Sequence, residues 1–315
     1  MNNQPKVIAL GFFDGVHLGH GALLRTVKET ADRLEALPAA FTFDESPAAV
    51  ITGNAVPLLT TVQERTALME RLYGIREVVI APFHAIQHMD WEDFIAEYLV
   101  KKLGVVHVVA GHDFRFGYQG RGTPDRLCAK CEELGVGCEV IQKVELEGIT
   151  VSSTYIRALV AQGEMERAGR FLGHPFHLTG AVRHGKRLGS ALGCPTVNLS
   201  LPAEVVAPAF GVYATRVWVL PACPDNHEPP GPQHRPGEGP YAAVTNVGVR
   251  PTVADGGRVT VECFLLDFSG DLYGRTVWVE FYKYLRPEQK FPSVEALAEE
   301  IKRNAQQTRE YFQQC

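Results

Sequence analysis

The chain has 315 residues, enough for about two domains with cores of their own, and its 45% hydrophobic and 21% charged content is ordinary globular composition. A formal net charge of −5 provides no general attraction to nucleic acid or to a membrane surface, and no apolar run approaches the ~18 residues needed to span a bilayer. Met1 to Lys6 lack the charged and apolar regions of a signal peptide, and seven scattered cysteines argue against a disulfide framework, so the expected location is cytoplasmic.

The first half alternates short apolar runs with amphipathic helical stripes, which predicts a parallel sheet covered on both faces. Val7 to Leu10 reads as a buried strand. It feeds Gly11-Phe12-Phe13-Asp14-Gly15-Val16-His17-Leu18-Gly19-His20, and a helical stripe of Leu23, Leu24, Val27, Ala31 and Leu34 follows. A strand, a glycine-rich turn and a helix start in that order form a phosphate site. Glycines let the backbone approach an anion, and the free N–H groups and dipole of the first helical turn favour negative charge. His17 and His20, three apart, share one face and can both bond phosphoryl oxygens as charge builds there. The alternative is a plain strand–turn–helix carrying two incidental histidines.

Ala39 to Phe43 and Val78 to Ala81 continue the strands. Between them Thr61 starts a helix with Glu64 in capping-box position, ending at Gly74. A single helix is expected from Trp91 to Lys102, then a strand over Val105 to Ala110. That strand delivers Gly111-His112-Asp113-Phe114-Arg115-Phe116-Gly117 at its C-terminal end, where open α/β sheets place ligands. Arg115 and Arg121 can meet phosphates, and the phenylalanines can flank a planar ring; a loop held by buried aromatics is the plainer reading. Cys128, Cys131 and Cys138 include the only C-x-x-C; Leu127, Cys131 and Leu134 fall at helical spacing, so these thiols read as packing rather than as a metal or redox site. After a strand over Cys138 to Val144, Ser152, Ser153 and Thr154 precede Ile156, Arg157, Leu159 and Val160. These make a second helix N-terminus able to hold a polyphosphate, and the helix is expected to run past Gly163 to near Gly173.

These three stretches together resemble the FMN adenylyltransferase module of the prokaryotic bifunctional riboflavin kinase/FAD synthetase family, over residues 6 to 172. The resemblance implies a Rossmann-like nucleotidyltransferase fold in which His17 and His20 act on the α-phosphoryl group. It also implies that Gly11, Phe12, Phe13, Asp14 and Gly15 line the nucleotide. Ser152, Ser153 and Arg157 would hold the β- and γ-phosphates, Thr154 would line the nucleotide, and Asp113, Phe114 and Arg115 would meet the flavin. Ser46 stands where the family usually carries His before Pro47.

Near Gly173 the periodicity changes to short β segments: Phe176 to Arg183, Gly211 to Leu220, Tyr241 to Val247, Val259 to Phe268 and Val277 to Tyr284. They predict a small closed β-barrel, followed by a helix after Ser293 that packs through Leu297, Ile301, Ala305, Thr308 and Phe312. The domains expected are thus 1–173 and 174–315. Residues 221–240 contain seven prolines and read as an exposed loop between strands. In Gly185 to Asn198, Gly185 and Gly189 can cradle phosphates. Thr196 and Asn198, two apart on an extended chain, offer a hydroxyl and an amide oxygen of the kind that suits Mg²⁺. Glu262 interrupts an apolar strand, an expensive place for a carboxylate without a task.

This half resembles the riboflavin kinase domain, including Arg286-Pro287-Glu288. By that resemblance Thr196 and Asn198 bind Mg²⁺-ATP, Glu262 is the general base for the ribityl 5′-hydroxyl, and Arg286 and Glu288 meet the flavin. Ser190 stands where many bacterial members carry Arg. The implied ligands are riboflavin, FMN, FAD and ATP with Mg²⁺, and no nucleic acid or membrane partner is called for; a homo-oligomer is compatible with the residues. A flavin-binding protein without turnover is the rival from another class.

Overall fold

The computed structural model describes residues 4–183, 196–221, 237–249 and 259–314. Compact packing divides the chain into two units, Met1–Val56 with Thr61–Ser153, and Pro57–Thr60 with Thr154–Cys315.

In the first unit β1 (Lys6–Leu10) leads into α1 (Leu18–Leu34), β2 (Leu37–Phe43), the short α2 (Pro47–Thr52), α3 (Val62–Tyr73) and β3 (Glu77–Ala81). Two short helices follow, α4 (Phe83–Ile86) and α5 (Trp91–Asp93), before β4 (Val105–Gly111), α6 (Pro124–Glu133) and β5 (Gly137–Ile141). The five strands form one parallel sheet in the order β3-β2-β1-β4-β5. The central strands are apolar throughout because both faces are covered. Helix α1 packs on one face through Leu24, Val27 and Ala31. On the other, Ile8, Leu10, Phe41, Phe94, Leu99, Val108, Phe116 and Leu127 form a continuous core. The strand order reverses between β1 and β4, so the loops after these two strands share the crevice where such sheets bind ligands.

Three local expectations differ from the structure here. The helix after Asp90 is not uniform: α5 passes into a π-helical stretch, Phe94–Lys102, whose i→i+5 repeat puts Phe94 and Leu99 on one buried face. The last strand stops at Ile141, and β6 (Glu145–Leu146) and β7 (Ile149–Thr150) make a small antiparallel hairpin instead. The long helix beyond Ser152 breaks into α7 (Ser153–Gln162) and α8 (Met165–Leu172). The break is at Gly163, whose φ of 81° is left-handed and whose missing Cβ would lie 3.2 Å from Ala209 and from the Tyr284 ring.

The second unit contains β8 (Phe176–Ala181), β9 (Thr196–Ser200), β10 (Gly211–Val219), β11 (Glu238–Val249), β12 (Val259–Leu265), β13 (Thr276–Arg286) and α9 (Val294–Gln314). All six strands are antiparallel, in the order β8-β13-β10-β11-β12-β9, and an isolated bridge joins Arg183 to Asn198 as the sheet curls. Helix α9 packs on β10 and β11, α8 on β8 and β13. The expected loop 221–240 is shorter, because β11 already begins at Glu238, which pairs with Val219; residues 222–236 lie outside the described residues. No helix among the described residues is long and apolar enough to cross a membrane.

Candidate functional site

At the C-terminal end of β1 the chain turns through a backbone few sequences tolerate. Phe13 and Val16 have positive φ (58° and 41°), as does Gly15 (78°). Such strain persists only where surrounding structure fixes it, and here Phe13, Asp14, Val16 and His17 are all buried. His17 is the N-cap of α1: its Nδ1 accepts from the His20 N–H at 3.3 Å. That bond puts the proton of the neutral His17 ring on Nε2, leaving it a donor on the far side. The His17 and His20 rings stack at 3.6 Å and 11°, and the Phe13 ring meets His20 edge-on at 5.1 Å. Burial holds His20 well below the usual histidine pKa, and the neighbouring His17 and Arg65 add to the effect. His20 is therefore neutral near pH 7, and its buried Nδ1 has no hydrogen-bond partner among the described residues.

The second helix start is tied to this loop directly. Ser153 Oγ donates to the Asp14 carbonyl at 2.9 Å, bringing the first residue of α7 against the turn. Ser152 and Ser153 are half-buried and Thr154 is exposed. Arg157, one turn along α7, donates from Nη2 to Thr154 Oγ1 at 3.0 Å. Across the crevice from the β1 loop, Phe114 stacks on Phe116 (5.7 Å, 17°) and packs against the core, while Asp113 and Arg115 are exposed. The phenylalanines thus anchor the turn from beneath. Ser46 is an N-cap, accepting from Ala49 N–H at 3.3 Å with Pro47 in the first turn of α2.

One residue of this site left no signal in the sequence. Arg65, three before Leu68 on the inward face of α3, is fully buried. Its Nη1 donates to the Phe12 carbonyl at 2.5 Å, and its guanidinium lies 4.2 Å from the Phe12 ring centroid. A charged residue at a helical core position reads as a break in periodicity, and only the fold shows what it reaches.

In the second unit, β9, β12 and β11 align three polar residues in one row: Asn198 opposite Glu262, and Glu262 opposite Asn246. Directly opposed residues project to the same side of a sheet, and Thr196, two before Asn198, shares that side. Thr196, Asn246, Glu262, Arg286 and Glu288 line a cavity of about 340 Å³, closed by Leu297, Ile301 and Asn304 of α9. Arg286 is oriented by α9: Nε donates to Asn304 Oδ1 at 3.1 Å and lies 3.3 Å from Glu300 Oε1. Glu288 accepts from Asn246 Nδ2 at 3.1 Å. Asn304, 1% exposed, and Glu300 were not foreseen, since both look like surface residues of an amphipathic helix. Gly185, Gly189 and Ser190 lie outside the described residues.

Two family models match the chain: FAD synthetase over residues 1–155 and riboflavin kinase over 172–312. A Pseudomonas fluorescens bifunctional riboflavin kinase/FMN adenylyltransferase is 38% identical, covering 92% of this chain and 88% of that one. The Bacillus subtilis protein of the same name is 33% identical, covering 98% and 92%. Among solved structures, one described as a macrolide-efflux protein from Streptococcus pneumoniae superposes with a TM-score of 0.79 at 29% identity, covering 97% of this chain and 94% of that one.

Proposed function

Since the chain belongs to the bifunctional riboflavin kinase/FMN adenylyltransferase family, we propose that its two reactions use the two sites just described. The protein phosphorylates riboflavin with ATP to FMN and adenylylates FMN with a second ATP to FAD, releasing pyrophosphate. We take the functional division to follow the expected domains, 1–173 and 174–315. In the first unit we read the parallel sheet as a nucleotidyltransferase fold, and in the second the curled sheet as the kinase barrel.

For adenylylation, the FMN phosphate attacks the α-phosphorus of ATP and the bond to the β-phosphate bridging oxygen breaks. His17 Nε2–H and His20 donate to the α-phosphoryl oxygens as their charge grows. Ser152, Ser153, Thr154 and Arg157 hold the β- and γ-phosphates that leave as pyrophosphate. The backbone of Gly11 to Gly15 cradles the nucleotide, and Asp113 and Arg115 face the flavin on the turn that Phe114 anchors. The strongest single support is the stacked His17–His20 pair at a helix N-terminus, with Ser153 bonded to the same loop.

For phosphorylation, Glu262 accepts the proton of the ribityl 5′-hydroxyl as that oxygen bonds to the γ-phosphorus and ADP leaves. Arg286 and Glu288 orient the flavin in the cavity that also holds Glu262. A hydroxyl, an amide oxygen and one carboxylate are hard oxygen donors, which fits Mg²⁺ held mainly by substrate phosphates. Thr196 and Asn198 would hold it, and the ion would neutralise phosphate charge. The polar row opposite Glu262 is the observation behind that fit. ATP-dependent chemistry on small molecules sets the reading in the cytoplasm.

The test is a product assay. Protein with riboflavin, ATP and Mg²⁺ should form FMN first and FAD after it. His20→Ala should stop FAD formation while FMN still appears, and Glu262→Gln should stop FMN formation while supplied FMN is still converted to FAD. Loss of both activities in either folded variant would refute the two-site reading.

A further inference from the structure

Arg65 is a guanidinium with no solvent exposure, at a core position of α3 that a leucine could fill. Burying a cation is costly unless it is fully paired, and this one is not: Nε and Nη2 have no hydrogen-bond partner among the described residues. What Arg65 does reach is the β1 loop. Nη1 donates to the Phe12 carbonyl at 2.5 Å, and Thr42 Oγ1, 3.3 Å from Nη1, donates to the same oxygen at 2.9 Å. Phe12 immediately precedes the left-handed Phe13, so this carbonyl is where the strained turn begins.

We propose that Arg65 is a positioning residue of the adenylylation site: it fixes the Phe12 carbonyl, and with it the loop presenting His17 and His20, and its buried charge draws the anionic phosphates toward them. The inference rests on the assignment of that loop to FMN adenylylation. The charged groups that act on His20 are His17 and, from α3, Arg65, while Asp14 of the loop acts on Arg65. Burial pushes Arg65 down to about 10, against the pull of the Asp14 carboxylate, so it is charged at neutral pH. Its charge is also one cause of the depressed His20 pKa. Arg65 therefore disfavours a second cation beside it, and the negative charge of a nucleotide reverses that balance on binding.

The experiment compares full-length wild type, Arg65→Met and Arg65→Lys for FAD formation from FMN, for FMN formation from riboflavin, and for the pH dependence of kcat/KM in the first assay. Arg65→Met should lose on the order of 10²-fold in kcat/KM for FAD formation, with a raised KM for ATP. The pKa governing its pH profile should move up by roughly one unit. FMN formation should stay within about twofold of wild type, since that site lies in the other unit. Arg65→Lys should bring the profile back and recover part of the rate. FAD formation within threefold of wild type in Arg65→Met overturns the proposal. So does a loss with an unshifted profile that lysine fails to rescue, which is the behaviour of a space-filling residue. If Arg65→Met does not fold, Arg65→Gln, which keeps a donor for the carbonyl without the charge, is judged by the same criteria. Wild type that makes no FAD would refute the functional assignment instead.

Discussion

His20 couples the adenylylation loop to pH through its burial. Its folded pKa is depressed, so below the unfolded value of ~6.5 the unfolded chain takes up a proton that the folded site refuses. This group therefore destabilises the fold as pH falls below about 6.5, by up to ~1.4 kcal/mol per pH unit, and contributes no pH dependence above it. Denaturant unfolding at pH 7.5 and pH 5.5 should show wild type losing more stability than His20→Asn over that interval; equal losses would contradict the burial argument. In the second unit, Asn304→Ala leaves the Arg286 Nε with Glu300 as its acceptor. FMN formation should fall about tenfold, the scale of one lost hydrogen bond to a charged group, with FAD formation from supplied FMN unchanged.

Glycine positions decide the geometry of two elements. Gly117 closes the turn after β4 with φ of 70°, and a Cβ there would lie 2.7 Å from the Trp91 Cα. Gly117→Ala should destabilise by at least the ~1–2 kcal/mol of a left-handed L-residue, with the backbone clash added. Because the same turn carries Asp113 and Arg115, KM for FMN should rise with it; thermal unfolding and FAD kinetics read the two effects. Gly163 acts differently, stopping α7 so that α8 can turn onto β8 and β13. By contrast the capping box that starts α3 forms as its spacing requires, with Thr61 N–H on Glu64 Oε2 at 2.8 Å and Glu64 N–H on Thr61 Oγ1 at 3.2 Å. Local chemistry sufficed there, since both partners lie within one turn.

At the scale of the molecule, each unit stands on its own core. Phe41, fully buried, meets Phe43, Phe94 and Tyr98 edge-on at 5.4, 5.5 and 6.0 Å. Phe41→Ala should cost about 3–5 kcal/mol in the first unit, measured by denaturant unfolding. The second unit extends upstream of residue 174. Met165, Ala168, Phe171 and Leu172 bury one face of α8 on its sheet, and Leu58 adds backbone bonds to Glu204 and Val206. A fragment beginning at residue 154 should therefore be more stable and more soluble than one beginning at 174. Without α8, each large apolar side chain of β8 and β13 that it covers is exposed, at a cost of about 1.5–3 kcal/mol. Equal melting temperatures for the two fragments would mean that α8 adds nothing to that core.

Whatever depends on a few consecutive residues is legible in the sequence by itself. The strand–turn–helix at Gly11 to His20, the capping box at Thr61, the central strands of both units and the polar spacing of Thr196 and Asn198 are local, because hydrogen bonds and side-chain periodicity act over one turn or one pleat. The resemblance to the family rested on the same local motifs. The tertiary structure alone decided which distant residues complete them: Arg65 on the Phe12 carbonyl across 53 positions, Ser153 on Asp14 across 139, and Asn304 on Arg286 across 18. It also decided that α7 and α8 pack with the second unit. Burial and partner choice depend on how apolar faces meet, and nothing in a neighbouring stretch of chain encodes the far side of that contact.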